Sequence, residues 1–339
     1  MSRTAAQRRK RIRDSAEALF GKRVTEVTAP GGSGRASLRF HFGDQTVIGT
    51  LRPNFRRTHI EAFVLRRLEP FCDDIPRCLG VDREVMFQTD VGDRRLNLEL
   101  HAVDAARQAD LLAEAVAAIF RIQAAAHRTD LHDKMPHLGN NPDWIGNLVD
   151  GVSVLEGFGP GVPDSFDPEA AAARLGHPGV QFVKWDCRSS NAAIGADGRL
   201  RWFDFEYCGL RHGAEDLAWL FADESQPADG ATLWRIAEDA LPAAPLGGRD
   251  DYLDYLAVYT VFHALQRLIL IIDEANARGW LPRRRVLERD DVGVNPMMAR
   301  NLCRVARDFA NRAPITAMLA PALDAVATFF DKVLTEGAA

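Results

Sequence analysis

The chain has 339 residues, 47% of them hydrophobic and 26% charged, which is enough apolar material for a large core and more chain than one small domain needs. Forty-two Lys and Arg stand against 47 Asp and Glu, a formal net charge of -5 that argues against nucleic acid as the main partner. The five cysteines are odd in number and form no C-x-x-C, which argues against a disulfide framework or a zinc site and fits a reducing compartment.

Residues 4 to 20 place Ile12, Ala16, Leu19 and Phe20 on one side of a helix that Gly21 ends. Residues 1 to 23 carry eight Arg or Lys, read as a solvated face. No apolar h-region follows them and no run reads as a membrane span, so a cytoplasmic protein without membrane contact is expected. Val24 to Ala29 reads as a strand, and "PGGSGR" after it is rich in turn formers. "ASLRFHF" alternates, with Leu38, Phe40 and Phe42 on one face. Phe42 to Gln45 is a hairpin turn, and "TVIGTLR" is the next strand. A helix is expected from near Thr58, where Thr58-His59-Ile60-Glu61 has the form of a capping box. Val85 to Gln88 is a strand that runs into a polar turn at Asp90 to Asp93.

From there the character is mostly helical. An alanine-rich helix is followed by an irregular stretch, residues 129 to 165, with four prolines. Strands at Val180 to Trp185 and Leu200 to Phe205 flank "KWDCRSSN". "DYLAVYTVFHALQRLILIIDEA" is apolar on nearly all sides and should be a buried helix. The chain thus divides into a basic N-terminal helix (1–21), a β-rich lobe (22–90) and a helical lobe (91–339), with a cleft between the lobes as the usual place for a ligand.

The chemistry concentrates in three residues. Asp186 and Asn191 have the spacing of D-x-x-x-x-N, and Asp204 heads D-F-E thirteen residues after Asn191. Phosphoryl transfer needs a carboxylate beside the attacking hydroxyl and oxygen ligands that hold Mg²⁺ against the phosphates. Asp186 suits the first task, and Asn191 with Asp204 the second. Arg188 lies two residues past Asp186, within reach of a transferred phosphate. No H-E-x-x-H or G-x-S-x-G occurs, and the nine histidines show no metal-site spacing.

With "KWDCRSSN", "FDFEY", "GLRHGAEDLAWL" and "EVMFQTDVGDRRL" in this order, the chain resembles the aminoglycoside phosphotransferase and choline kinase superfamily, the small-molecule branch of the protein-kinase-like fold. The resemblance implies an α+β, bilobal fold, with a small antiparallel β-rich N-lobe and a larger, mainly helical C-lobe. It implies an ATP- and Mg²⁺-dependent kinase for the hydroxyl of a small molecule such as an amino alcohol, a sugar or an aminoglycoside; the alternative is a catalytically weak, nucleotide- or metabolite-binding regulator. By the same resemblance Gly32, Ser33 and Gly34 form the turn over the phosphates and Arg52 pairs with the α/β-phosphates. Glu61 is then the ion-pair partner of Arg52, against its other reading as a capping residue. Gln88 to Val91, Asp90 included, pass the adenine. Asp216 braces the catalytic loop, and Glu206 is a third metal ligand or a solvated carboxylate. The acceptor site falls in the helical lobe, with Trp144, Trp185, Trp219, Tyr207 and Tyr259 as walls. Glu206, Asp223 and Glu224 are its expected acidic groups, a set that suits a cation. The chain departs from the family pattern at Lys184 and Trp185, which stand where the family has His and Gly. Lys184 therefore implies altered bracing of the loop or a direct phosphate contact. The interval of nine residues from Arg52 to Glu61 is also shorter than usual.

Overall fold

Alternating apolar and polar residues between Ser37 and Leu51 build one antiparallel sheet, and the N-terminal half is arranged on its two faces. The computed structural model describes residues 3–30, 32, 36–176, 179–245, 247–289 and 291–336. Strands β1 (Glu26–Thr28), β2 (Ser37–His41), β3 (Thr46–Leu51), β4 (Cys78–Asp82) and β5 (Val85–Thr89) lie in the order β1-β2-β3-β5-β4, each pairing antiparallel. The hairpin turn forms where the sequence marks it: Phe42 N–H donates to Gln45 O at 3.0 Å.

Leu38, Phe40, Val47, Val85 and Phe87 make one face apolar, and helix α1 (Arg3–Phe20) closes it with Ile12 and Ala16. The close approach depends on Gly49 in β3. A Cβ there would stand 2.8 Å from the rings of Phe40 and Phe87 and 3.0 Å from Ile12. The basic side chains of α1 are tied down rather than simply solvated. Arg8 reaches Leu51 O at 3.2 Å, Arg9 reaches Val27 O, and Arg11 pairs with Glu84 at 2.6 Å. Helix α1 is therefore part of the sheet's packing.

Helix α2 (Phe55–Leu68) corrects the capping-box reading. It begins three residues before Thr58, with Asn54 as N-cap accepting from Arg56 N–H at 3.1 Å. Asn is as good a cap as Thr, and it comes first in the chain. Thr58 is buried inside the helix, and Glu61 is free of any capping duty.

The second lobe contains β6 (Arg94–Arg95), β7 (Gln181–Val183), β8 (Ala192–Ile194), β9 (Leu200–Trp202) and β10 (Gly209–Arg211). They form a three-stranded sheet, β6-β8-β9, and a β7-β10 pair. The strands flanking "KWDCRSSN" are shorter than their apolar runs suggest, because Lys184, Trp185 and Asp204 leave the ladders to build the site. The stretch read as irregular holds the helix Pro142–Asp150 and the 3-10 turn Gly151–Gly157. Pro142 sits in the first turn, where a missing N–H costs nothing, and Asn141 caps it by accepting from Asp143 N–H at 2.9 Å. The helix Arg249–Arg278 is, contrary to the sequence reading, long and apolar enough to cross a membrane; 78% of its apolar window is buried inside this fold. All five cysteines are unpaired. The architecture is α+β and two-lobed, a five-stranded antiparallel sheet beside a mainly helical body.

Gly49→Ala should destabilise the chain by roughly 1–3 kcal/mol, because the added methyl overpacks the α1–sheet contact. Denaturant unfolding of the variant beside the parent measures it, and superimposable curves would remove the close-approach argument.

Candidate active site

After β7 the chain turns away from the ladder, and the buried carboxylate of Asp216, on the helix Ala214–Phe221, collects the freed backbone. It accepts from Lys184 N–H at 3.1 Å and Trp185 N–H at 2.7 Å, and from the Gln123 amide at 3.0 Å. Trp185 is held at φ +61, a conformation that costs a bulky residue on the order of 1–3 kcal/mol. Three contacts offset that cost. Its N–H reaches Asp216, its indole Nε1 donates to Glu215 at 2.8 Å, and its ring packs at 5.7 Å from Trp144 and 6.1 Å from Trp219.

Lys184 is only 1% exposed. Its ammonium donates to Asp186 O at 2.8 Å and lies 5.5 Å from the Phe205 ring and 5.9 Å from the Trp202 ring. Of the two roles open to it, loop bracing is what the structure shows. A side chain so buried offers no direct phosphate contact.

Asp186 is braced from both sides. Arg188 Nε donates to its Oδ1 at 2.9 Å, and Asn191 Nδ2 donates to its Oδ2 at 2.9 Å and to its carbonyl at 3.1 Å. Burial alone would raise its pKa, but the charges of Arg188 and Lys184 outweigh it and hold the carboxyl below its ordinary value.

The second cluster centres on Arg52, just past β3. Its guanidinium lies 2.6 Å from Glu61 of α2, 2.6 Å from Asp204 and 2.8 Å from Glu206. Burial opposes the charge of Arg52, yet the three carboxylates outweigh it and raise its pKa. Glu61 also accepts from Phe205 N–H at 2.9 Å, so α2 is bonded to the D-F-E segment directly. Asp204 has φ +66, which turns its side chain out of the line of β9. Arg57 adds a second cation beside Glu206 at 3.5 Å, donates to the Tyr207 hydroxyl at 2.8 Å and covers that ring at 4.2 Å.

The remaining expected residues lie apart from these clusters. Gln88 is buried in β5, and its Oε1 has no hydrogen-bond partner among the described residues. Asp90 serves the backbone turn after β5: Arg39 of β2 grips it at 2.6 Å, and Gly92 N–H donates to it at 3.0 Å. Gly32 has φ +98, whereas Ser33 and Gly34 lie outside the described residues.

A cavity of about 630 Å³ opens beside Asp186 and Arg188. All five expected aromatic walls, Trp144, Trp185, Trp219, Tyr207 and Tyr259, line it. The three expected acidic groups do not. Glu206 belongs to Arg52, Asp223 accepts from Ser189 N–H at 2.7 Å, and Glu224 is held by Arg267 in two hydrogen bonds at 2.9 and 2.5 Å. The sequence reading missed His263, Gln266 and Arg267, which share the cavity face of the long helix with Tyr259 and Leu270. Their i, i+4, i+7, i+8 and i+11 spacing from Tyr259 was the available signal, masked by the apolar residues on the other faces.

No family model and no curated protein sequence matches the chain. Solved structures do. A choline/ethanolamine kinase family protein from Mesorhizobium loti is 17% identical, with a TM-score of 0.52 over 93% of this chain and 99% of that one. The aminoglycoside phosphotransferase APH(2'')-Ib, ADP-bound, is 12% identical, with a TM-score of 0.51 over 85% and 98%. The gentamicin complex of APH(2'')-IIa is 12% identical, with a TM-score of 0.51 over 84% and 96%. The chain has the protein-kinase-like fold.

Within the kinase-like fold Asp216 is the buried pivot of the loop, and its titration can be followed. Burial raises its carboxyl from 3.8 to about 6, against the pull of its three N–H donors. A carboxyl with a higher pKa folded than unfolded stabilises the fold when protonated, so its contribution is full below about pH 3.8 and is lost as pH rises through about 6. Acidification from pH 7 to 5 should therefore stabilise the parent relative to Asp216→Asn by on the order of 1 kcal/mol. Melting curves of both chains across that interval test it, and parallel pH profiles would refute the assignment.

Proposed function

We propose that the protein is a phosphotransferase that moves the γ-phosphoryl group of ATP, with Mg²⁺, to a hydroxyl of a small molecule. The observation that carries this reading is the position of Asp186: an ionised, doubly braced carboxylate at the wall of a cavity large enough for an acceptor. The fold is shared with small-molecule kinases, one of them solved with ADP.

The donors present fit Mg²⁺. Both amide hydrogen bonds of Asn191 run to Asp186, which leaves its Oδ1 as a ligand, and Asp204 uses only Oδ1 on Arg52. These are hard oxygen donors, and Mg²⁺ characteristically takes few protein ligands and completes its shell with water and phosphate. Among the described residues no group of three or more His, Cys, Asp or Glu forms a ready-made metal cage, which suits that mode of binding. Three carboxylates around Arg52 and Arg57 also leave a local excess of negative charge. When bound, the metal would neutralise phosphate charge and help align the γ-phosphate.

The step balances within the named groups. The acceptor oxygen bonds to the γ-phosphorus while the bond from that phosphorus to the β–γ bridging oxygen breaks, and ADP leaves with the electron pair. The hydroxyl proton passes to Asp186. A carboxylate with a lowered pKa is a weak base, so its main work is to orient the hydroxyl and to take the proton late. Arg188, anchored on Asp186, is placed to meet charge on the transferred group. Arg52 would release Asp204 and Glu206 in part as it turns to the phosphates. Lys184 and Trp185 brace the loop, so they do not favour a regulator without catalysis.

Asp186→Ala should lower kcat by roughly 10²–10⁴ in an ATP-consumption assay while the melting shift produced by ATP with Mg²⁺ persists. Asp204→Ala should lose the Mg²⁺-dependent part of that shift. A parent chain whose melting temperature is unmoved by millimolar ATP and Mg²⁺ would refute the reading.

A further inference from the structure

We infer that the acceptor is an uncharged alcohol with a largely apolar, ring-bearing body, and not an amino alcohol or an aminoglycoside. This rests on reading the cavity beside Asp186 as the acceptor site, and it specifies what that site selects.

The first argument is charge. Among the described residues that line the cavity, Asp186 is the one carboxylate, and two guanidiniums, Arg188 and Arg267, line it as well. Arg188 is bonded to Asp186, and Arg267 is bonded twice to Glu224 behind the wall, so the two pairs cancel. The other carboxylates nearby are spent on protein groups. Glu215 is held by Arg211 at 2.6 Å, by the Tyr255 hydroxyl at 2.7 Å and by Trp185 Nε1 at 2.8 Å. Glu224 takes a third hydrogen bond from Gly293 N–H at 3.1 Å. Burial brings His263 down to about 3, so it is neutral at ordinary pH. A cation entering this cavity would lose its hydration, and the attraction of the aromatic faces would be opposed by the charges of Arg188, Arg267 and the Lys184 ammonium behind Asp186.

The second argument is shape. The walls are formed by ring systems set against one another: Trp144, Trp185 and Trp219 in sequence, then His263 at 4.2 Å from Trp219. Leu148, Leu270 and Val292 continue the apolar lining, while the amides of Asn147 and Gln266 supply neutral polar groups. A volume of about 630 Å³ matches a ligand of drug-like size, and a two-carbon amino alcohol would leave most of it unfilled. Trp185, held at φ +61, is the residue that carries the aromatic wall up to the catalytic carboxylate. A ring-bearing body packed against that wall brings a hydroxyl to Asp186, where the transfer described above applies.

The test compares three acceptor groups of similar size in the presence of ATP and Mg²⁺: uncharged ring-bearing alcohols, ring-bearing amino alcohols with an aminoglycoside, and hydroxy acids. Tryptophan fluorescence with a non-hydrolysable ATP analogue gives binding constants, and ADP formation gives kcat/KM. The uncharged group should lead by about tenfold or more in both. Leu270→Glu, at a position 41% exposed on the cavity rim, should improve amino-alcohol binding by about two- to fivefold without perturbing the core. Tighter binding of amino alcohols or hydroxy acids to the parent would overturn the inference. If the ATP analogue itself fails to bind or to shift the melting temperature, the kinase reading fails. If it binds and only charged acceptors follow, the substrate inference alone fails.

Discussion

One buried guanidinium organises the cleft. Arg52 leaves β3 and is gripped by Glu61 from its own lobe and by Asp204 and Glu206 from the other. Taking such a charge out of water is costly, and a single carboxylate rarely compensates fully. Three do so here, and their positions set the relation between the sheet, α2 and the D-F-E segment. The Phe205 N–H bond to Glu61 adds a neutral donor to the same contact. The cluster also carries more negative than positive charge, even with Arg57 included. Burial and the neighbouring carboxylate Asp204 both push Glu206 up, with Arg52 pulling it back. A cluster of this kind is held together with negative charge left over.

The loop around Asp186 solves a different problem. It must hold a carboxylate and a carboxamide at fixed positions without a strand ladder to support them. Asp216 does this by collecting backbone N–H groups, and Lys184 by reaching its ammonium to the Asp186 carbonyl from beneath. Lys184 lies against the Trp202 and Phe205 rings and within the field of Asp186 and Asp216, so it adds a positive charge under Asp186 without occupying its oxygens. That charge helps to keep Asp186 ionised. The strained backbone at Trp185 belongs to the same device, since its N–H can reach Asp216 only from that turn.

Much of this was legible in the sequence because it rests on local spacing. The D-x-x-x-x-N and D-F-E segments and the alternation in β2 and β3 follow from residue type and spacing, and the five aromatic walls came with the family resemblance. The Arg52–Glu61 pair follows from the family resemblance. What was not legible depends on competition between equally good local signals. Asn54 and Thr58 are both competent caps, and tertiary packing chose the earlier one by burying Thr58. Pro142 reads as a breaker unless its place in a first turn is known. The acids expected at the acceptor site were misplaced for a deeper reason. A carboxylate's role is decided by which cation or N–H reaches it first, and Glu224, Asp223 and Glu206 are claimed by Arg267, Ser189 and Arg52. Sequence shows the donors and acceptors but not their pairing.

The segment Asp204-Phe205-Glu206-Tyr207 shows how closely the two halves of the site are joined. Its residues divide among three partners, Arg52, Arg57 and Lys184. Asp204 meets Arg52 in the cleft, Phe205 packs in the core against Lys184, and Glu206 meets Arg52 and Arg57. Tyr207 lines the acceptor cavity while Arg57 of α2 holds its hydroxyl and covers its ring. A movement of α2 that loosens Arg52 from its carboxylates would therefore also pull on a wall of the acceptor cavity through Arg57. The contacts of Arg52 and those of the Tyr207 cavity wall are carried by one stretch of backbone and one helix, which links them mechanically.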